Sequence, residues 1–339
     1  MSAAEKKEVI FQIENLKTWF PITKGAFKKV IGHVKAVDDV SLEAYKGETL
    51  GIVGESGCGK STLGKTVMLL EKPTDGKVLY NYNGEFKDVT KFNKKEILHF
   101  RKKVQMVFQD PYSALNPQKK IYTSFEEPLK VHGIKTQEER EAAMQKALKM
   151  VNIQSDYLMR YPHEFSGGQR QRLCIARALE VMPDVLICDE PVSALDVSIQ
   201  AQVLNLMKDI QKELNLTYLF IAHDLSVVQY MSDRIAVMYL GKIVEVADSR
   251  ALYDEPLHPY TKALLSAIPI PDIHNRKKRQ VLEGEVPSPI RKPTGCAFHN
   301  RCPNCMEICK TVDPAMLHWG KEGHMVACHL YDYKVEKES

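Results

Sequence analysis

The nine residues Gly54-Glu55-Ser56-Gly57-Cys58-Gly59-Lys60-Ser61-Thr62 restrict what this chain can fold into more than any other segment. They fit the pattern G-x-x-x-x-G-K-[ST], and the flanks are those the pattern needs: the short apolar run Thr49-Leu-Gly-Ile-Val53 before it and a helix-forming stretch over 61–70 after it. The glycines let backbone N–H groups turn inward around the β- and γ-phosphates of a nucleotide, and the N-terminus of the helix adds its partial positive charge. Lys60 carries a full charge to the β/γ oxygens, and the Ser61 hydroxyl is placed to ligate Mg²⁺.

The rest of the chain supplies the sheet that such a loop requires. Residues 11–16 alternate with period two, 104–108 form a short β-like run, and 185–188 and 218–221 are continuous apolar runs suited to strands buried on both faces. Helical patterns lie over 138–151, 169–181 and 199–214. Strands alternating with helices predict an α/β domain with a mostly parallel sheet. After about Val246 prolines recur, the basic run Arg276-Lys-Lys-Arg279 appears, and a linker to a small cysteine-rich module is expected.

With 47 basic and 43 acidic residues the chain has no charge excess of the kind a nucleic-acid binder carries, and no nucleic-acid partner is expected. No apolar run approaches the roughly 18 residues of a membrane span, and the residues after Met1 lack the apolar core of an export signal. A role at a membrane would therefore be peripheral. Five of the eight cysteines fall between Cys296 and Cys328, a clustering that argues for metal ligation over disulfides.

The run Val185-Leu-Ile-Cys-Asp189-Glu190 ends a buried strand in two acids, at the carboxyl end where parallel α/β sheets place their ligands. Asp189 is the natural Mg²⁺ partner, and Glu190 the group positioned to polarise an attacking water. These features describe many nucleotide hydrolases. The segment Phe165-Ser166-Gly167-Gly168-Gln169-Arg170-Gln171-Arg172 narrows the field: a Ser-Gly-Gly turn opening a helix makes a second anion site. It resembles the signature sequence of ABC ATPases, with Phe165 where Leu is commoner.

The remaining motifs follow the order of that family. The resemblance implies that Gln109 contacts Mg²⁺ and a transmembrane partner, that Ser193-Ala-Leu-Asp196 crosses a dimer interface, and that His223 contacts the γ-phosphate. It places an aromatic on adenine near Trp19-Phe20, and the spacing from Asn15-Leu16 favours Phe20. It further implies that two ATPase domains sandwich two ATP molecules, each held by one chain's phosphate loop and the other chain's Ser166 to Gln169.

Four longer stretches are similar to the ATPase subunits of oligopeptide and dipeptide importers: Gln109-Asp-Pro-Tyr-Ser-Ala-Leu-Asn-Pro117, Tyr161-Pro-His-Glu-Phe165, Ser193-Ala-Leu-Asp-Val-Ser-Ile-Gln-Ala-Gln202 and His258-Pro-Tyr-Thr-Lys-Ala-Leu-Leu265. Glu164 and Gln169 favour the F-type member of the pair, which implies a heterodimer with a D-type subunit, two permease subunits and an extracellular peptide-binding protein, at the cytoplasmic face of the membrane. In this branch, Cys296, Cys302, Cys309 and Cys328 resemble the ligands of a [4Fe-4S] cluster; four thiolates also suit zinc, and Cys305 is an alternative ligand. The expected architecture is a P-loop NTPase domain over 8–250, with a mostly parallel core sheet, an antiparallel N-terminal β subdomain and a helical subdomain at about 110–180. A Cys-rich extension follows over 251–339. An ABC ATPase for nickel or another small solute, one acting on ribosomes or nucleic acid, and a P-loop metabolic kinase are the competing assignments; the signature stretch opposes the last.

Overall fold

A strand buried on both faces has no solvent side and therefore no need to alternate, and Val185–Asp189 and Thr217–Ile221 are buried at every position. The computed structural model describes residues 7–25, 27–267, 284–320 and 323–332 and divides the chain into two compact units. The basic run at 276–279 lies outside the described residues.

The first unit comprises 1–11, 44–49 and 80–221. Val104–Val107, Val185–Asp189 and Thr217–Ile221 form a parallel array, with Val104 opposite Val185 and Val185 opposite Thr217. Among the described residues of this unit are five helices longer than two turns: Lys94–Lys103, Ile121–Val131, Gln137–Met150, Gly167–Leu179 and Val197–Leu214. Their starts follow local chemistry. Thr136 and Glu139 make a reciprocal capping box ahead of Gln137, and Asn215 at φ 51° ends the helix from Val197 in the left-handed conformation Asn tolerates. Phe11, Tyr80 and Phe100 pack edge to face, with ring centroids 5.1 to 6.2 Å apart.

The second unit comprises 12–43, 50–79 and 222–339. Here Thr49–Val53 runs parallel to Arg234–Tyr239, Leu50 opposite Arg234 and Val53 opposite Val237. Arg234–Tyr239 turns back into Lys242–Asp248 through Leu240 and Gly241, both at positive φ, as a two-residue hairpin demands. The cysteine-rich tail then adds two strands: His324–Val326 pairs with Lys242–Asp248, and Leu317–Trp319 pairs with His324–Val326. A separate four-stranded sheet has the strand order Lys29–Tyr45, Val9–Lys24, Asp75–Tyr82, Glu85–Asp88.

Three local expectations change. The helix after the phosphate loop is Lys60–Val67 and does not reach residue 70, because Leu69 takes φ 56°. The strand begun at Val9 extends to Lys24, beyond the period-two stretch. The region after Val246 does not start as a linker: Ser249–Asp254 and Pro259–Ser266 are helices, and Leu257, His258 and Tyr260 are buried. Pro259 stands in the first turn, where its missing N–H has no intrahelical acceptor to lose.

Candidate nucleotide-binding site

In the second unit the strand Thr49–Val53 delivers the chain into the loop at Gly54, and the backbone there leaves no room for side chains. A Cβ on Gly54 would lie 2.1 Å from the Met238 carbonyl oxygen, and one on Gly59 2.0 Å from that of Ala36. Gly57 and Gly59 take φ of 78° and 111°. The hairpin turn buttresses the loop, since the Gly241 N–H donates to the Cys58 carbonyl at 2.8 Å. Gly59 caps the helix Lys60–Val67 with no side chain to accept its first N–H groups, leaving that end to an anion.

Lys60 is buried, and its Nζ donates to the Gly54 and Glu55 carbonyls at 2.7 and 3.1 Å. A phosphate would take over an ammonium group already aimed into the loop. Ser56 and Gly57 are exposed at the tip, and Ser61 and Thr62 are half-buried at the helix start. Burial pushes the Cys58 thiol above its usual range, with Lys60 opposing, so Cys58 packs as an apolar residue.

Three further residues of this unit complete what the sequence singles out. His223 is exposed between the strand Thr217–Ile221 and the helix Leu225–Met231, whose first turn is capped by Asp224. Phe20 is exposed on its strand. Neighbouring Trp19 is already engaged: its Nε1 donates to Asp38 at 3.0 Å, and the Lys35 ammonium lies 4.5 Å from its ring centroid.

The first unit holds the acids and the signature turn. Asp189 is buried at the carboxyl end of its strand. Glu190 follows at φ 46°, a strained position for a residue with a Cβ, fixed by its N–H on the Ile221 carbonyl at 2.8 Å. The Gln109 Nε2 donates to Glu190 Oε2 at 2.9 Å, so these two sequence-predicted residues meet. Ser166 caps the helix Gly167–Leu179: its Oγ accepts from the Gln169 N–H at 3.3 Å, and Gln169 Oε1 accepts from the Ser166 N–H at 3.0 Å. Arg170 donates twice to the Phe165 carbonyl, at 2.9 and 2.7 Å, and the buried Phe165 ring packs edge to face on Tyr157 at 5.7 Å, a ring contact Leu could not make. Gly168 sits against Ile199, where a Cβ would approach its Cγ2 to 2.5 Å. Asp196 caps the helix Val197–Leu214 without a side-chain bond to it and is exposed. Beyond Gln109 an open groove of about 720 Å³ is lined by Tyr112, Leu115, Pro117, Val131, His132 and Arg177.

In the tail, Cys309 and Cys328 are buried, Cys296 and Cys302 are half-buried, and Cys305 is exposed; all are free thiols. The Cys296 N–H donates to the Cys309 carbonyl at 2.9 Å. Burial first, and then the nearness of Cys309 and Cys302, pushes the Cys296 thiol up to about 11. Burial and the approach of Cys296, Cys302 and Cys309 push Cys328 up to about 12. Cys305 also lies beside Cys302 and Cys309, so all five tail thiols share one neighbourhood. Among the described residues, no three His, Cys, Asp or Glu side chains are arranged to hold a single metal ion.

The sequence reading missed Arg301, whose guanidinium bonds the Glu55 carboxylate at 2.8 and 3.1 Å, and Tyr260, whose OH accepts from the Glu55 N–H at 2.8 Å. Arg301 lies in no motif, and Tyr260, though inside the stretch His258 to Leu265, carries no mark of this contact; both are more than 200 residues from Glu55.

Comparison with known proteins places this geometry. The ABC transporter family matches residues 37–193, and the family described as oligopeptide/dipeptide transporter, C-terminal region, matches 244–309. The oligopeptide transport ATP-binding protein AppF of Bacillus subtilis (strain 168) is 51% identical over 97% of this chain and 99% of its own. The chain is an ABC transporter ATP-binding protein. A second relative of this ABC family in the same organism, the putative oligopeptide transport ATP-binding protein YkfD, is 51% identical over 90% of this chain and 92% of its own. Among solved structures, the ATP-binding cassette MJ0796, a dimer in a post-hydrolysis state bound to ADP and Pi, is 28% identical. It superposes with a TM-score of 0.61 over 71% of this chain and 99% of its own. The cassette cbiO1 from Clostridium perfringens gives the same score at 27% identity, over 74% and 92%. The fold is that of an ABC ATPase, and no described helix is long and apolar enough to cross a membrane.

Proposed function

We propose that this chain hydrolyses ATP to power a peptide importer, working at the cytoplasmic face of the membrane against two permease subunits that receive peptide from an external binding protein. The observation that carries the reading is the match of both segments, cassette and tail, to the oligopeptide/dipeptide transporter branch, with near full-length identity of 51% to a relative named for oligopeptide transport. The open groove beyond Gln109, with Tyr112 and Val131 exposed on it, suits a helix of the permease. Glu164 and Gln169 support an F-type subunit whose second ATPase is a D-type homologue.

In this reading Gly54 to Thr62 cradle the phosphates and Lys60 moves from its carbonyl acceptors onto the β/γ oxygens. Phe20 offers its exposed ring to adenine. Ser61, Gln109 and Asp189 each offer an oxygen of the kind that Mg²⁺ takes, and the ion, when bound, would offset charge on the transferring phosphate. The Gln109 amide nitrogen donates to Glu190, a contact that leaves the side-chain oxygen, its one cation-binding atom, unused. Glu190 accepts the proton of the attacking water, and His223 steadies the γ-phosphate. Ser166 to Gln169, with Asp196 beside the interface, serve the nucleotide of the partner ATPase. There the phosphate competes with the capping box for the Gln169 N–H. The test is co-expression with the permease: membranes should retain this chain and take up peptide only with ATP. Retention of RNA in place of permease would favour a soluble ABC ATPase.

Cys296, Cys302, Cys309 and Cys328 are proposed to hold a [4Fe-4S] cluster, with zinc the alternative. Supporting this are four thiols that are buried or half-buried, with an exposed Cys305 close enough to Cys302 and Cys309 to serve as the alternative ligand. Four thiolates suit tetrahedral zinc as well as a cluster, and among the described residues no three such side chains are arranged for a single ion. When bound, it would cross-link a proline-broken segment with little core of its own. Protein purified without oxygen should be brown and contain iron and sulfide in equal amounts. Colourless protein with one zinc would decide for the alternative.

A further inference from the structure

The second residue of the phosphate loop has three polar groups, and all three are engaged. The Glu55 carbonyl accepts from Lys60, its N–H donates to the Tyr260 hydroxyl, and its carboxylate receives both terminal nitrogens of Arg301. Two of those three partners come from beyond residue 256. Arg301 is 7% exposed and Glu55 27%, so the pair is largely out of water, and the paired donors fix the direction of the carboxylate as a single ammonium would not.

The support of this contact is specific. Tyr260 and Phe298 are buried, with ring centroids 5.5 Å apart, and both pack on Tyr239, at 4.6 and 5.2 Å. Phe298 lies two residues after Cys296, and Arg301 directly precedes Cys302, in the turn His299–Arg301. The cysteines therefore bracket the two side chains that reach the phosphate loop. A second tie lies nearby in sequence: Lys292 pairs at 3.0 Å with Asp38, the same carboxylate that accepts from Trp19.

We infer that Arg301 is a positioning residue for ATP binding, holding Glu55 so that the first turn of the phosphate loop keeps its nucleotide-accepting shape, and that the cysteine-rich module thereby sets the affinity for ATP. Arg301 touches no nucleotide; it acts through Glu55. The inference rests on the proposed role of Gly54 to Thr62 in ATP binding and extends it to Arg301, 246 positions from Glu55.

The test is the ATP dependence of hydrolysis in the assembled transporter, comparing Arg301→Ala, Arg301→Lys, Glu55→Gln and the double variant Arg301→Ala/Glu55→Gln. Loss of a charge-assisted, mostly buried pair should raise KM for ATP about tenfold in Arg301→Ala and in Glu55→Gln. Arg301→Lys, which keeps the charge and loses the fork, should fall between these and the wild type. In each variant kcat should fall much less than kcat/KM, and the double variant should be no worse than either single, because one bond is lost in all three. A general loss of structure would instead lower the active fraction and kcat at unchanged KM. Should Arg301→Ala fail to accumulate, Glu55→Gln, which keeps the volume and leaves the tail untouched, decides alone. An active wild type with KM unmoved in Glu55→Gln, or additive effects in the double variant, overturns this inference only. A wild-type complex without ATPase activity overturns the functional reading beneath it as well.

Discussion

Replacing Glu190 by Gln in the assembled transporter is expected to lower ATP turnover by about 10²- to 10⁴-fold, the range that a positioned general base contributes, while ATP still binds and the closed dimer accumulates. The geometry makes the substitution selective. Glu190 is held at φ 46° by its N–H on Ile221, and its carboxylate takes a hydrogen bond from Gln109 at 2.9 Å. Glutamine fits the same space and backbone and can still accept through its carbonyl oxygen from Gln109, but it cannot take a proton from water. Binding should survive because the phosphate grip lies in Gly54 to Thr62. Single-turnover hydrolysis and nucleotide retention, measured on the same complex, check both halves; ATPase activity equal to wild type would remove Glu190 from the chemistry.

The second large effect is expected at Gly59. Alanine there should weaken ATP binding at least about a hundredfold, because backbone strain of about 1–3 kcal/mol adds to an overlap that has nowhere to relax. The new Cβ would lie 2.0 Å from the carbonyl oxygen of Ala36, within the strand Lys29–Tyr45, and no flexible side chain can yield in its place. Gly57→Ala is the matched control, since Gly57 also has positive φ but meets nothing within 4 Å. It should lose about tenfold or less, at the rate of 1.4 kcal/mol per factor of ten. Equilibrium binding of ATP to the two purified variants, with circular dichroism to confirm that both fold, separates overlap from strain. Equal losses would show that conformation alone shapes the loop.

The motifs were readable because their chemistry is local. A strand that delivers a glycine-rich loop to a helix is written within some twenty residues, and the same holds for the Ser166 capping box and for the two acids that close Val185–Asp189. Elements without such a local mark were harder to see. The hairpin Arg234–Tyr239 and Lys242–Asp248 carries no helix-like spacing, yet both strands are buried almost throughout, and its turn holds the Cys58 carbonyl. The prolines after Val246 suggested broken chain, although one of them starts a helix, because proline's cost depends on which N–H it removes.

Taken by itself, the sequence determined the nucleotide loop, the signature turn, the type of ligand the tail can offer and the branch of transporters to which the chain belongs. All of these depend on residue identity at short spacing. Only the tertiary structure decided that Cys305 is exposed while Cys309 and Cys328 are buried, that Gln109 spends its amide on Glu190, and that Arg301 grips Glu55. Those are outcomes of which distant side chains a folded sheet brings within hydrogen-bond reach, and spacing along the chain carries no record of them.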